Sequence, residues 1–445
     1  MNLFKSGTFH GGVHPAGNKR WTEQKKVEVL PIPPQVIIPV QQHIGAPSKA
    51  VVEKGAVVRI GDPVSEAGGF VSVPAHASIS GTVSAVEERM HPLGSPVLSI
   101  VIDGDGEENW NPDIGYQADY LSLDRAIMLD RIRAAGLAGM GGATFPTHVK
   151  LAPPAGKTID AVILNGAECE PYLTADHRLM LEKSKEILLG LQLMVKILGA
   201  AKAAIGIEKN KPDAIQAMKK GVAELNLPYE VIALPVKYPQ GAEKQLIKAV
   251  TDREVPSGGL PMDVGCVVQN VGTSAAVYEA IACRRPVIDR VVTVTGTGVR
   301  EPKNVLARIG TPYSFVLEQC GGMAENAGKL IMGGPMMGLA QVSLDIPVIK
   351  GTSGILILDA REGRRREEQV CISCAHCIDA CPMGLMPKMI AAFVKKGRLN
   401  DAEAYQVLDC IECGSCAYVC PAHINLVHWL RYGKSEIIRA KRKAG

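Results

Sequence analysis

The sequence predicts a multidomain α/β protein. Three observations predict it: short apolar runs cut by Gly and Pro before residue 115, apolar strands alternating with helical segments from about 121 to 285, and two cysteine runs near the C-terminus. A chain of 445 residues has core enough for three or four domains. Its 49 basic and 45 acidic residues leave a formal net charge of +4, too balanced for nucleic-acid binding. Aromatic residues make up 4 %, which disfavours a stacking platform for single strands.

The first segment, residues 1–115, reads as all-β. Val36–Val40 follows Pro31, Pro33 and Pro34, and the runs Val51 to Val64 and Phe70 to Val83 keep the same rhythm. This pattern resembles the flattened barrel of biotinyl and lipoyl domains, so an N-terminal β barrel-sandwich (lipoyl-like) module is expected. Those domains carry a modifiable Lys at a hairpin tip. The matching stretch here, Gly68 to Pro74, has none. A docking or structural role is expected instead of a swinging arm. Met1 to Arg20 is polar, unlike a secretory leader.

Residues 116–285 change period. A helix starting at Ser122 and ending by Gly136 precedes the alternation. Strands are then expected at 161–164, 203–207, 230–236 and 266–268, and helices at 179–198, 213–225, 242–250 and from 274. Such alternation predicts a parallel sheet with its ligand outside the carboxyl ends of the strands. Asn165, Lys237 and Asn270 fall there. Ile187 to Ile207 is the nearest approach to a membrane span, but Lys196 and Lys202 interrupt it, so it reads as a buried helix plus a strand. The chain is expected to be soluble or peripheral.

Residues 286–358 are β-rich and suggest a small β-grasp domain of the soluble ligand-binding type. A charged linker, Arg361 to Glu368, leads into a cysteine-rich domain over 359–430, and residues 431–445 form a basic tail.

The cysteine-rich domain carries the strongest signal. Cys371, Cys374, Cys377 and Cys381 precede Pro382; Cys410, Cys413, Cys416 and Cys420 precede Pro421. Both read C-x-x-C-x-x-C-x-x-x-C-P, the spacing of two-cluster ferredoxins, in which the fourth thiolate of each run serves the other cluster. One [4Fe–4S] cluster is therefore assigned to Cys371, Cys374, Cys377 and Cys420, and the other to Cys410, Cys413, Cys416 and Cys381. Zinc sites favour two separated pairs, and a dozen cysteines suit a reducing compartment better than disulfides. Cys169, Cys266, Cys283 and Cys320 lack this spacing and read as small buried residues.

A second signal is Gly136-Leu-Ala-Gly-Met-Gly-Gly-Ala-Thr-Phe-Pro-Thr-His-Val-Lys150. Gly139, Gly141 and Gly142 allow close backbone approach, their N–H groups can face a phosphate, and Lys150 adds charge. Neither the dinucleotide fingerprint nor a Walker loop fits, and on the loop alone a tight interdomain turn carries equal weight. Asn165-Gly-Ala-Glu-Cys-Glu-Pro171 then supplies an amide and two carboxylates at a strand end.

With the cysteine runs, these segments resemble the flavin- and NADH-binding subunit of respiratory complex I. Adding Gly11-Gly-Val-His-Pro15, Leu30-Pro-Ile-Pro-Pro34 and Ile38-Pro-Val-Gln-Gln-His-Ile-Gly45, the chain resembles the RnfC component of the Rnf (Rsx) ion-translocating electron transport complex as far as about Leu430. The resemblance implies noncovalent FMN, with Gly139, Gly141, Gly142 and Lys150 at its phosphate and Asn165 and Glu168 nearby. It implies that Asn270 and Thr273 line the ribityl chain and that Gly241 and Glu243 lie near the flavin ring. It further implies NAD(H) contacts at Phe145, under the adenine, and at Glu170, near the nicotinamide ribose. Glu170 and Glu243 are its candidate catalytic carboxylates. Met140 and Ala167 depart from the family pattern. The implied partners are a ferredoxin-like iron–sulfur subunit and integral membrane subunits, and the implied location is the cytoplasmic face of the cell membrane. Two other readings stay open: a soluble cobalamin reductase, whose barrel module follows its clusters, and an electron-transfer scaffold without flavin.

Overall fold

Nearly continuous apolar runs build the middle of the chain, as expected of strands covered on both faces. The computed structural model describes residues 3–444, with side chains as far as Lys443. In it Glu230–Leu234, Lys202–Glu208, Ala161–Gly166 and Cys266–Asn270 lie side by side in that order, all parallel. The first strand in sequence thus has the second on one side and the fourth on the other. This is a topological switch point, where sheets of this kind leave a crevice beyond the two carboxyl ends. Asn165 and Asn270 are register partners there.

The expected single helix over 179–198 is two helices, Ala175–Glu182 and Ser184–Leu198. Lys183 breaks the run at φ −128°, and its ammonium pairs with Glu279 at 2.8 Å. Ser184–Leu198 packs on Val271–Ala282 through Ile187, Leu191 and Met194. Gly190 makes that approach possible, because a Cβ there would lie 1.8 Å from the Ser274 carbonyl oxygen.

The barrel module is a four-stranded antiparallel sheet (Gln35–Pro39, Pro96–Gly104, Gly81–Met90, Val57–Val58) with a two-stranded companion, Lys49–Ala50 and Ser65–Glu66. Its core is Val36, Ile38, Ile79, Val83, Ile100 and Ile102. The segment where lipoyl domains carry their lysine rests on the glycine loop. The Ile44 N–H donates to the Thr144 carbonyl at 3.2 Å, and His148 Nε2 lies 3.3 Å from the Phe70 carbonyl.

The first thirty residues leave the barrel. Val27–Val29 pairs in parallel with Lys303–Arg308 and becomes the edge of a six-stranded mixed sheet, the β-grasp region. Upstream, the Lys5 and Gly7 amides donate to Val250 and Ala249, and the Gly12 amide donates to the Ala380 carbonyl at 2.9 Å. This strap ties the parallel-sheet domain to the cysteine-rich domain. The expected separate basic tail is instead continuous with the helix Leu426–Ala444, where Lys441 pairs with Glu403 at 2.5 Å.

Lys350 is buried where the barrel, the glycine loop and the β-grasp region meet. Its Nζ donates to the Pro74 carbonyl at 2.8 Å and the Gly136 carbonyl at 2.5 Å. Burial pushes its ammonium down from 10.5 to about 7. Between those values the unfolded chain holds a proton that the folded chain lacks. Stability contributed here therefore rises as pH increases from 7 towards 10.5. Thermal unfolding of Lys350→Met across that window is expected to show a shallower rise with pH than the unmodified chain. A parallel rise would remove Lys350 as a source.

Candidate functional site

The glycine loop closes on itself through the Gly139 N–H, which donates to the Phe145 carbonyl at 2.9 Å. Met140 anchors it: its N–H donates to Thr273 Oγ1 at 2.9 Å, and its carbonyl accepts from Arg290 Nη2 at 3.3 Å. Gly141 lies over the end of strand Cys266–Asn270, where a Cβ would come 3.3 Å from the Asn270 Cβ. Gly142 has φ +103°, and a Cβ there would meet nothing within 4 Å. Gly141 to Ala143 are exposed. Three adjacent backbone units thus face open space at the crevice.

Lys150, from the short helix Thr147–Lys150, donates to Glu243 Oε1 at 2.5 Å and the Val268 carbonyl at 2.8 Å. Glu243 begins the helix Glu243–Thr251, where its charge suits the positive end of the helix dipole. Asn165 donates Nδ2–H to the Gly241 carbonyl at 2.7 Å and accepts the Ala167 N–H at 3.2 Å. The Gly241 N–H donates to Cys169 Sγ at 3.2 Å, and burial pushes that thiol up to about 12, out of reach of thiolate chemistry. Asn270 caps its helix by accepting the Gly272 and Thr273 amides, and donates to Asp176 Oδ2 at 2.7 Å. Asp176 is half-buried and lies close to Glu168; desolvation and the nearby carboxylate both raise its pKa.

The fold thus gathers Gly139, Gly141, Gly142, Lys150, Asn165, Gly241, Glu243, Asn270 and Thr273 around one crevice, with Phe145 half-buried at the base of the loop. Glu168 and Glu170 both hold neighbouring backbone. The Glu168 oxygens accept the Asp176 and His177 amides at 2.7 and 3.2 Å, capping the helix Ala175–Glu182. The Glu170 oxygens accept the Met337 and Met336 amides at 2.8 and 3.1 Å. Burial pushes the Glu170 carboxyl up to about 7, and these two amides oppose the rise. Both side chains therefore satisfy backbone donors.

Several residues here escaped the sequence reading. Lys19 donates to the Glu168, Glu170 and Leu173 carbonyls at 2.9, 3.0 and 2.6 Å, and burial, with Lys211 nearby, pushes its ammonium down to about 8. Lys211 donates to the Ala167 carbonyl at 2.6 Å. No local pattern marks Lys19, because its partners lie far away in sequence, whereas Lys211 also pairs with Glu208 at 3.4 Å, three residues before it. Gln240 is fully buried with neither amide atom partnered, and Gln269 Nε2 is likewise unpaired. Buried amides left without protein partners fit a polar ligand. Gln240 adjoins Gly241 in sequence, a signal that could have drawn attention to it.

The two cysteine runs repeat one backbone conformation. Ser373 and Ala375 have φ 57° and 63°; Glu412 and Gly414 have φ 59° and 78°. In each run the residue two past the first cysteine donates its N–H to that sulfur, at 3.4 Å for Ser373 and 3.3 Å for Glu412. Cys381, Cys410, Cys413 and Cys416 line one cavity. That set is the one the sequence assigns to one cube, with Cys381 contributed by the other run. Cys371 and Cys374 are exposed, and Cys377 lies close enough to Cys371 and Cys420 for their charges to add to burial in raising its pKa. Repeated thiol loops with amides donating to sulfur fit iron–sulfur cubes.

Matches to known families follow the same order along the chain. An RnfC barrel sandwich hybrid domain matches residues 7–107, a Nuo51 FMN-binding domain 132–279, an SLBB domain 291–340 and a 4Fe-4S dicluster domain 364–421. The C component of the proton-translocating ferredoxin:NAD(+) oxidoreductase complex of Clostridium ljungdahlii is 50 % identical over 96 % of this chain and 94 % of its own length. The C component of the Na(+)-translocating ferredoxin:NAD(+) oxidoreductase complex of Acetobacterium woodii is 48 % identical over 100 % of both chains.

The chain belongs to the RnfC family.

A more distant RnfC relative, from the ion-translocating oxidoreductase complex of Rhodobacter capsulatus, is 40 % identical over 97 % of this chain and 84 % of its own. In this RnfC-family chain the FMN-binding match runs from just before the glycine loop to the helix capped by Asn270, and the dicluster match takes in all eight thiols. FMN and two [4Fe–4S] clusters are its cofactors. Among its described residues, no helix is long and apolar enough to cross a membrane.

Proposed function

We propose that this RnfC-family chain exchanges hydride between NAD(H) and FMN in the crevice and relays single electrons through its two clusters, as the peripheral redox arm of a membrane-bound ion-translocating complex. One observation carries the reading. The loop of the buried cysteine set abuts the crevice: the Tyr238 hydroxyl donates to the Cys413 carbonyl at 2.8 Å, and Cys169 packs in the same apolar cluster. When bound, FMN supplies the conversion between two-electron and one-electron chemistry. The amides of Gly141 and Gly142 and the Lys150 ammonium would hold its phosphate, and Asn165, Asn270 and Thr273 would form the walls around it. Phe145 is the candidate adenine contact.

The outer run suits a redox partner. Val370 and Ile372, 88 % and 71 % exposed, flank the exposed Cys371. Apolar side chains around an accessible cluster fit a ferredoxin-like iron–sulfur subunit. Arg439, Arg442 and Lys443 are exposed on the last helix, where they fit acidic loops of membrane subunits or an anionic lipid surface at the cytoplasmic face.

The test is NADH-dependent reduction of an artificial acceptor by the isolated chain, with and without added FMN. Activity is expected only with FMN. Electron uptake from NADH in a flavin-free preparation, or none in a flavin-loaded one, would sink the reading.

A further inference from the structure

Glu170 has a neighbour on each side that makes it more than a crevice residue. Its two oxygens take both amides of one turn, at Met336 and Met337. Gly334 lets that turn come so close, because a Cβ there would lie 2.3 Å from Glu170 Oε2. The opposite side of the same turn meets the cysteine-rich domain. The Met336 carbonyl oxygen lies 2.9 Å from where a Cβ on Gly414 would stand, and Gly414 follows Cys413 directly. The Met337 carbonyl accepts from Arg431 Nη2 at 3.3 Å, and Arg431 also pairs with Glu412 at 3.2 Å. Lys434 completes the set, donating to the Cys410 carbonyl at 2.8 Å.

We propose that Glu170 is a positioning residue that pins the turn 333–338, and through it the buried cysteine loop, against the crevice. The proposal rests on the flavin and cluster reading above, but it concerns a contact that the fold itself makes. The carboxylate cannot shift easily, because Lys19 holds its own backbone carbonyl and those of Glu168 and Leu173. A carboxylate accepting two amides from one turn makes a charge-assisted, two-point attachment. The β-grasp region thereby serves as a spacer that sets where Cys413 sits relative to the crevice.

The test uses the full-length protein carrying FMN and iron. Glu170→Gln keeps the shape but loses one of the two acceptors. Amide hydrogen exchange is expected to quicken roughly tenfold at both 333–338 and 410–416, the effect of losing one charge-assisted bond. The rate at which NADH reduces the clusters should fall, while the KM for NADH with an acceptor that takes electrons at the flavin stays unchanged. Gly334→Ala, which pushes the turn off an intact Glu170, should give the same exchange pattern. A tenfold rise in KM with unchanged exchange would make Glu170 a nicotinamide contact and overturn the proposal. Faster exchange at 333–338 alone would also overturn it, since the turn would then not carry the cysteine loop. Failure of the flavin reading looks different: unmodified protein that binds no FMN.

Discussion

Cys413→Ser is expected to lower iron from about eight to about four per chain and to bring NADH-driven reduction of the outer cluster down to background. The buried set is the one beside the crevice, so its loss removes the step between flavin and outer run. FMN content should stay near the unmodified level, because the crevice residues come from the parallel sheet and the glycine loop. Reduction of an artificial acceptor at the flavin should also persist. Cys381→Ser should reproduce these results even though Cys381 belongs to the other run, because it shares the cavity of Cys410, Cys413 and Cys416. Iron counts with low-temperature paramagnetic resonance read both variants. If Cys381→Ser instead removed the same signal as Cys377→Ser, the crossed ligand assignment would be wrong.

Lys150→Ala is expected to weaken FMN retention by roughly ten- to a hundredfold, the size of one lost charge-assisted contact. Two effects add. The ammonium no longer faces the phosphate, and Glu243, its partner at 2.5 Å, is left as an unpaired carboxylate beside an incoming anion. Lys150→Ala combined with Glu243→Gln should therefore bind FMN more tightly than Lys150→Ala alone. Fluorescence titration of the flavin-depleted protein measures both, with iron content as the folding control. Equal losses of iron and flavin would mean that Lys150 holds the domain together and does not hold the ligand.

Much of the molecule was legible because its signals are local. Three cysteines on one short loop declare themselves by spacing, and the strands 161–166, 202–208, 230–234 and 266–270 by apolar runs between helical segments. The glycine loop was legible for the same reason. Asn270 was legible as a strand-end residue, and in the structure its side chain also caps the following helix. Other features could not be read this way. Val27–Val29 looks like an orphan strand until Lys303–Arg308 comes beside it. Lys19 lies in a polar stretch with no motif, yet it gathers three carbonyls from around 170. The two carboxylates of the 165–171 segment look alike in sequence, and only their neighbours send one to a helix end and the other to the β-grasp turn.

The amino-acid order alone determined which thiols, glycines and amides are present, and at spacings that short loops must respect. That is enough to name cofactors and a domain order, because ligand spacing and hydrophobic period act within a few residues. Tertiary structure alone decided which thiols lie inward, which backbone donors each carboxylate takes, and how the crevice meets the cysteine loop. Those outcomes depend on pairings between segments far apart in sequence, 167 positions for Glu170 and Met337, and burial makes each backbone donor demand a partner.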